Sequence, residues 1–141
     1  MSTSDAVVRL IGTPDSGYVA VSSSGASLTI GGTHEPRDAQ GSWLPSELLM
    51  TALGGCMALD VSTILRRRRH DPRGLSMQVV PGPRDETLPG RPFEAFAVEY
   101  RLGNQLSQLA VEQAITLASS RYCTIQLTLE RKVAVRHVIV E

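Results

Sequence analysis

The sequence predicts an α+β protein, with helices packed on largely antiparallel sheet, and three observations predict it. Short runs of alternating apolar residues, broken by turn residues, fill both ends of the chain. Only two long segments, 44–69 and 106–122, carry apolar residues at helical spacing. The links between successive strands are mostly short, as antiparallel neighbours allow.

Taken in order, "AVVRLIG" (6–12), "YVAVSSS" (18–24) and "ASLTIGG" (26–32) read as strands separated by "TPDSG" and "SSSG". "THEPRDAQGSW" (33–43) is polar and marked by Pro and Gly, so it reads as a loop. Pro45, with Ser46 and Glu47 beside it, suits a first helical turn. The helix that follows carries two apolar lines: Leu49, Leu53, Cys56, Asp60 and Ile64, and Leu48, Ala52, Met57, Val61 and Leu65. Both flanks are apolar, which predicts a well-buried helix, and Arg66–Arg69 complement the negative end of its dipole. "LSMQVVPG" (75–82) and "FEAFAVEYRL" (93–102) read as strands around a turn-rich loop, and 106–122 as the second helix. "TIQLTLE" (124–130) and "KVAVRHVIVE" (132–141) close the chain as two alternating β-branched runs. The predicted order is βββ-α-ββ-α-ββ in one domain, 1–141: strands and a loop to residue 43, then a helix/strand core holding both cysteines. A helix apolar on most of its circumference needs more cover than a chain of 141 residues supplies, which predicts a homodimer sharing its central helices.

With 42% hydrophobic residues, 20% charged and a net charge of zero, the composition is that of a globular domain. It gives no general attraction to nucleic acid. Arg66–Arg69 is the local exception, read first as a solvated helix end and second as a phosphate or nucleic-acid contact. No apolar run approaches ~18 residues, so no membrane partner is expected. The first residues lack a basic leader and an apolar core of signal length, so the expected compartment is the cytoplasm.

Two cysteines in a reducing compartment point toward thiol chemistry more than toward a structural staple. Cys56 follows Gly54 and Gly55 in the middle of the first helix, although each glycine there costs about 1 kcal/mol relative to alanine. The glycines clear space on the side toward which helical side chains lean. They also permit a kink that would bring free N–H groups to the sulfur. The alternative is a buried cysteine acting as a small hydrophobe. Asp60 lies one turn on; a carboxylate beside a thiol opposes thiolate formation, so Asp60 either pairs within the helix interface or holds an Arg that faces the sulfur. Cys123, in "SSRYCTI", is either a buried residue at an element end or a second thiol that resolves a sulfenic acid. His34, His70 and His137 are scattered, and with no C-x-x-C or G-x-S-x-G the chain carries neither a structural zinc motif nor a serine-hydrolase motif.

"PSELLMTALGGCMALDV", then "ILRRRR", then "SRYCTI" resembles the OsmC/Ohr superfamily, most closely its OsmC-like branch. The likeness runs from about Gly41 to the C-terminus. It implies an obligate, intertwined homodimer in which antiparallel sheets wrap two long central helices, with active sites at the subunit interface. It implies a thiol-dependent peroxidase that reduces organic hydroperoxides in oxidative stress defence. Cys56 would be the peroxidatic cysteine and Cys123 the resolving one, with no bound cofactor and an external dithiol as reductant. Family peroxidases carry Glu directly after the helix-start Pro; here Ser46 takes that place and Glu47 follows, a rotation of about 100° around the helix. They also hold the thiolate with an Arg from an early turn, which here reads "TPDSGY". Arg37 is the substitute candidate, with Arg9 and Arg121 behind it. The alternative function is a family relative that binds a small molecule or senses oxidants with little turnover.

Overall fold

The Pro/Asp/Ser/Gly clusters between the first apolar runs reverse the chain. In the computed structural model, which describes residues 7–31, 42–103 and 105–140, strands β1 (Val8–Thr13), β2 (Gly17–Ser22) and β3 (Ser27–Ile30) form an antiparallel meander. Thr13 Oγ1 accepts the Ser16 N–H at 3.1 Å within the first turn. Gly17 then adopts φ 79°, and a Cβ there would lie 2.6 Å from the Ile30 carbonyl oxygen. A two-residue strand, β4 (Ser42–Trp43), adds parallel to β3, inside the segment expected to be a loop. Two residues are too few to show alternation, so nothing in the pattern announces it. These strands belong to a compact unit, Met1–Leu49, and Met50–Glu141 form a second.

Helix α1 (Pro45–Arg67) starts as the sequence predicts. Glu47 Oε1 accepts the Leu44 N–H at 2.9 Å, one half of a capping box. The helix ends in a Schellman arrangement, with His70 N–H bonded to Leu65 O and Arg69 N–H to Arg66 O. Arg69 occupies the left-handed position, φ 64°, that glycine usually fills. The glycine pair does not break the helix, so no helix end is directed at Cys56. Burial is also narrower than expected. Leu53, Gly54, Met57, Val61, Ile64 and Leu65 are buried along one stripe, whereas Leu59 is 72% exposed. By length and composition alone α1 could cross a membrane, as a core helix also could, although Glu47 and Asp60 interrupt its apolar run.

Strands β5 (Ser76–Pro81) and β6 (Phe96–Arg101) form an antiparallel pair, with Met77 opposite Tyr100 and Val79 opposite Val98. Alternate residues face inward: Met77 and Val79 from β5, and Phe96, Val98 and Tyr100 from β6, are all half-buried. Helix α2 (Gln108–Leu117) begins at Ser107, whose side chain accepts the Ala110 N–H. It continues into a π-helical turn, Ala118–Tyr122. The α1 stripe meets Ala110, Val111, Ala114, Ala118 and Cys123, and Val79, Phe96, Val98 and Tyr100 pack against this core. Full burial of a side chain such as Met57, Val61 or Leu65 contributes about 1.5–3 kcal/mol, so these contacts set the packing.

The end of the chain departs from expectation. "TIQLTLE" forms helix α3 (Thr124–Leu129), not a strand. Its apolar residues fit a period of two, but Ile125 and Leu129 also fall four apart. Cross-turn bonds favour the helix: Gln126 Nε2 to Glu130 Oε1 at 2.9 Å and Thr128 Oγ1 to Thr124 O at 2.6 Å. Residues 132–140 form no strand and are exposed throughout. A β-branched run becomes a strand only against a partner strand, and the described residues of this chain supply none.

Candidate active site

The site is assembled from two helices of the second unit. Cys56 sits mid-α1, directly after Gly54 and Gly55. The two glycines do different things. A Cβ on Gly54 would lie 2.8 Å from Val79 Cγ2, so this glycine lets β5 close on the helix. A Cβ on Gly55 would meet nothing within 4 Å, so this glycine stands in open space, next in the chain to Cys56.

Asp60, one turn on, presents its carboxylate on the same face, and Cys56 Sγ donates to Asp60 Oδ2 at 3.9 Å. Of the two roles expected of Asp60, pairing in the helix interface or holding an Arg that faces the sulfur, no Arg is bonded to it among the described residues; the thiol itself is. Cys123 arrives from the other side, where the π-helical turn passes its chain direction into α3. It is the N-cap of α3, its N–H bonds Ala118 O, and its Sγ accepts the Gln126 N–H at 3.4 Å.

Cys56 Sγ, Cys123 Sγ and a carboxylate oxygen of Asp60 all lie within 4.8 Å of one another. Both thiols are free. Their environments differ: Cys56 and Asp60 are half-buried, while Cys123 is completely buried. Burial, opposed by the Gln126 N–H and reinforced by Cys56, pushes the Cys123 thiol up to about 11. The two sulfurs are therefore unequal, one accessible and one sealed and protonated at neutral pH.

Tyr100 is the residue that sequence reasoning missed. Its hydroxyl is buried without a hydrogen-bond partner among the described residues. Burial, with the charge of Cys123 next, pushes it up to about 12. The signal was present in the alternation of "FEAFAVEY", which points Tyr100 inward with Phe96 and Val98; a buried tyrosine hydroxyl usually has a partner.

Asp60 is the supporting candidate that the structure places at a sulfur, and the others have settings of their own. Glu47 lies at the start of α1, where its carboxylate caps the helix. Arg9 is exposed on β1, and Arg121 is exposed in the π-helical turn. Arg37 lies outside the described residues. Arg66–Arg69 are all exposed around the helix end.

Residues 38–138 match the OsmC-like protein family. Protein YhfA of Escherichia coli K12 is 32% identical over 94 residues, covering 66% of this chain and 69% of YhfA. The crystal structure of an OsmC-like protein from Mycoplasma pneumoniae superposes with a TM-score of 0.74 at 16% identity, over 92% of this chain and 89% of that one. An organic hydroperoxide resistance protein OsmC from Legionella pneumophila superposes with a TM-score of 0.65 at 14% identity, over 92% and 91%.

Proposed function

The chain belongs to the OsmC-like family, and from that premise we propose that it is a thiol-dependent peroxidase of peroxide-stress defence, reducing organic hydroperoxides through Cys56 and Cys123. One observation carries the reading: an accessible thiol, a sealed thiol and a carboxylate share a space of 4.8 Å. Cys56 itself is half-buried, so a substrate can reach it.

The inequality of the two sulfurs orders the reaction. The thiolate is the nucleophile, and the accessible Cys56 meets the peroxide first. The Asp60 carboxylate disfavours a standing thiolate, so it acts as base in the attack itself, taking the proton that the thiol already donates to it. The sulfur attacks the terminal oxygen of ROOH, the O–O bond breaks, and the leaving alkoxide takes that proton from Asp60 to become ROH. Cys56 is left as a sulfenic acid, oxidised by two electrons. Cys123, adjacent and protonated, then displaces the sulfenic hydroxyl; its proton leaves with that hydroxyl as water, and an S–S bond forms. The S–S bond of about 2.05 Å forms between sulfurs that already lie within 4.8 Å of each other in the reduced protein. An external dithiol returns both thiols by exchange, as cytoplasmic reductants do.

A homodimer belongs to this reading. The outer face of α1 keeps Leu59 in solvent, and residues 132–140 leave a β-branched run fully exposed. A second copy of the chain covers both.

The uninterrupted helix and the carboxylate beside Cys56 favour a second reading, an oxidant sensor that reacts once and turns over slowly. Steady-state consumption of cumene hydroperoxide with excess dithiol separates the two. Many turnovers per subunit, lost in Cys56→Ser, are expected. Cys123→Ser should leave a sulfenic acid that dimedone traps. Consumption that stops at one equivalent assigns the sensor instead.

A further inference from the structure

We propose that the reduced site binds a thiophilic divalent cation, Zn2+ in the first instance, through Cys56 Sγ, Cys123 Sγ and Asp60, and that the bound ion blocks Cys56 from reacting. Binding rests only on the reduced residues; the consequence for turnover rests on the peroxidase reading above.

The chemistry of the donor set fits. Zn2+ takes thiolate sulfur at about 2.3 Å and carboxylate oxygen at about 2.0–2.2 Å in tetrahedral sites. Those lengths give a ligand-to-ligand edge of roughly 3.6–3.8 Å. Cys56 Sγ and Asp60 Oδ2 are 3.9 Å apart, and every pair in the set lies within 4.8 Å, so small side-chain rotations bring all three onto one ion. Cys56 and Asp60 stand at i and i+4 of an unbroken helix, the spacing that puts two ligands on one face. Three protein ligands leave the fourth position open, and the half-buried side of the cluster faces outward to receive water. This is the arrangement of an exchangeable site, not a structural one, and it needs no sequence motif because α1 and α3 bring the ligands together.

Groups around the ligands support an anionic sulfur. The Gln126 N–H already points at Cys123 Sγ. Tyr100 packs against the core that holds Cys123, and its buried hydroxyl has no partner among the described residues. A protonated thiol is a poor acceptor for it, whereas a metal-bound thiolate is a good one. Coordination also removes the repulsion between two adjacent thiolates, since the ion replaces up to two protons.

The test uses the reduced full chain under anaerobic conditions, titrated with Cd2+ alone and followed by the ultraviolet charge-transfer absorption of cadmium–thiolate bonds. Saturation at one ion per subunit is expected, abolished in Cys56→Ser and in Cys123→Ser. Asp60→Asn should weaken binding at least 10-fold, with circular dichroism unchanged. Zn2+ should compete for the site and slow alkylation of Cys56 by iodoacetamide at least 10-fold. Absence of a saturable band, a band that survives either serine variant, or an Asp60→Asn affinity equal to wild type overturns the site. Undiminished alkylation at saturating Zn2+ overturns the block. None of these readouts depends on peroxidase turnover, so failure of that reading leaves them intact.

Discussion

Replacing Gly54 with alanine tests the packing that frames the reactive cysteine. The new methyl would lie 2.8 Å from Val79 Cγ2, well inside the ordinary carbon contact of about 3.5–4.0 Å. Val79 cannot step aside freely: it is stiff at χ1 and sits within β5, opposite Val98. Overpacking of this kind costs about 1–3 kcal/mol, while removing a glycine from a helix interior returns about 1 kcal/mol. The expected net effect is a destabilisation of about 1 kcal/mol, seen as a fall in Tm of roughly 3 °C for a chain of this size. Val79→Ala removes the obstructing methyls. In that background Gly54→Ala should stabilise by about 1 kcal/mol, a coupling near 2 kcal/mol across the double-mutant cycle. Urea unfolding at one fixed protein concentration, followed by circular dichroism, measures all four proteins. A Gly54→Ala effect of the same sign in both backgrounds would refute the claim that helix–hairpin approach requires this glycine.

Two further predictions concern stability. The Cys123 thiol is held near 11 in the folded protein against an ordinary 9.0, because burial disfavours its charged form. Its contribution is therefore complete below about pH 8.5 and is lost as pH rises toward 11, so Tm should fall across that range. The fall should be shallower in Cys123→Ala, and superimposable profiles would sink the assignment. Arg69 holds a left-handed conformation, φ 64°, at the end of α1, which costs an L-residue about 1–2 kcal/mol. Arg69→Gly should raise the urea midpoint by the equivalent of about 1 kcal/mol with an unchanged slope; no gain would show that the termination carries no strain.

The elements that local pattern decides were legible in the sequence. Pro45 and Glu47 mark the start of α1, and the alternation of 93–102 marks β6, because a cap and a period are local properties. The failures lie where a second element chooses. β4 exists because β3 offers it an edge, and "TIQLTLE" becomes helical because Cys123 caps it and Gln126 reaches Glu130. Residues 132–140 have the composition of a strand and no partner strand in the described chain.

The same division runs through the site. Cys56 and Asp60 were readable as neighbours because a helix fixes i and i+4 on one face. That Cys123 would join them was not readable from spacing, since the approach is set by α2, a π-helical turn and the N-cap of α3. The glycine pair is the instructive case. Its tolerance for a kink is a property of glycine, but whether the kink occurs depends on what surrounds the helix. Here α1 runs unbroken through both glycines, so their effect is read from their missing side chains. One admits Val79 and lets the hairpin close on the helix; the other stands in open space. With no helix end at hand, the chemistry of Cys56 falls to the groups that touch it, Asp60 and Cys123. A carboxylate and a second sulfur can accept a proton, close a disulfide or grip a soft cation, and which of these dominates is decided by the redox state and the metal supply around the protein.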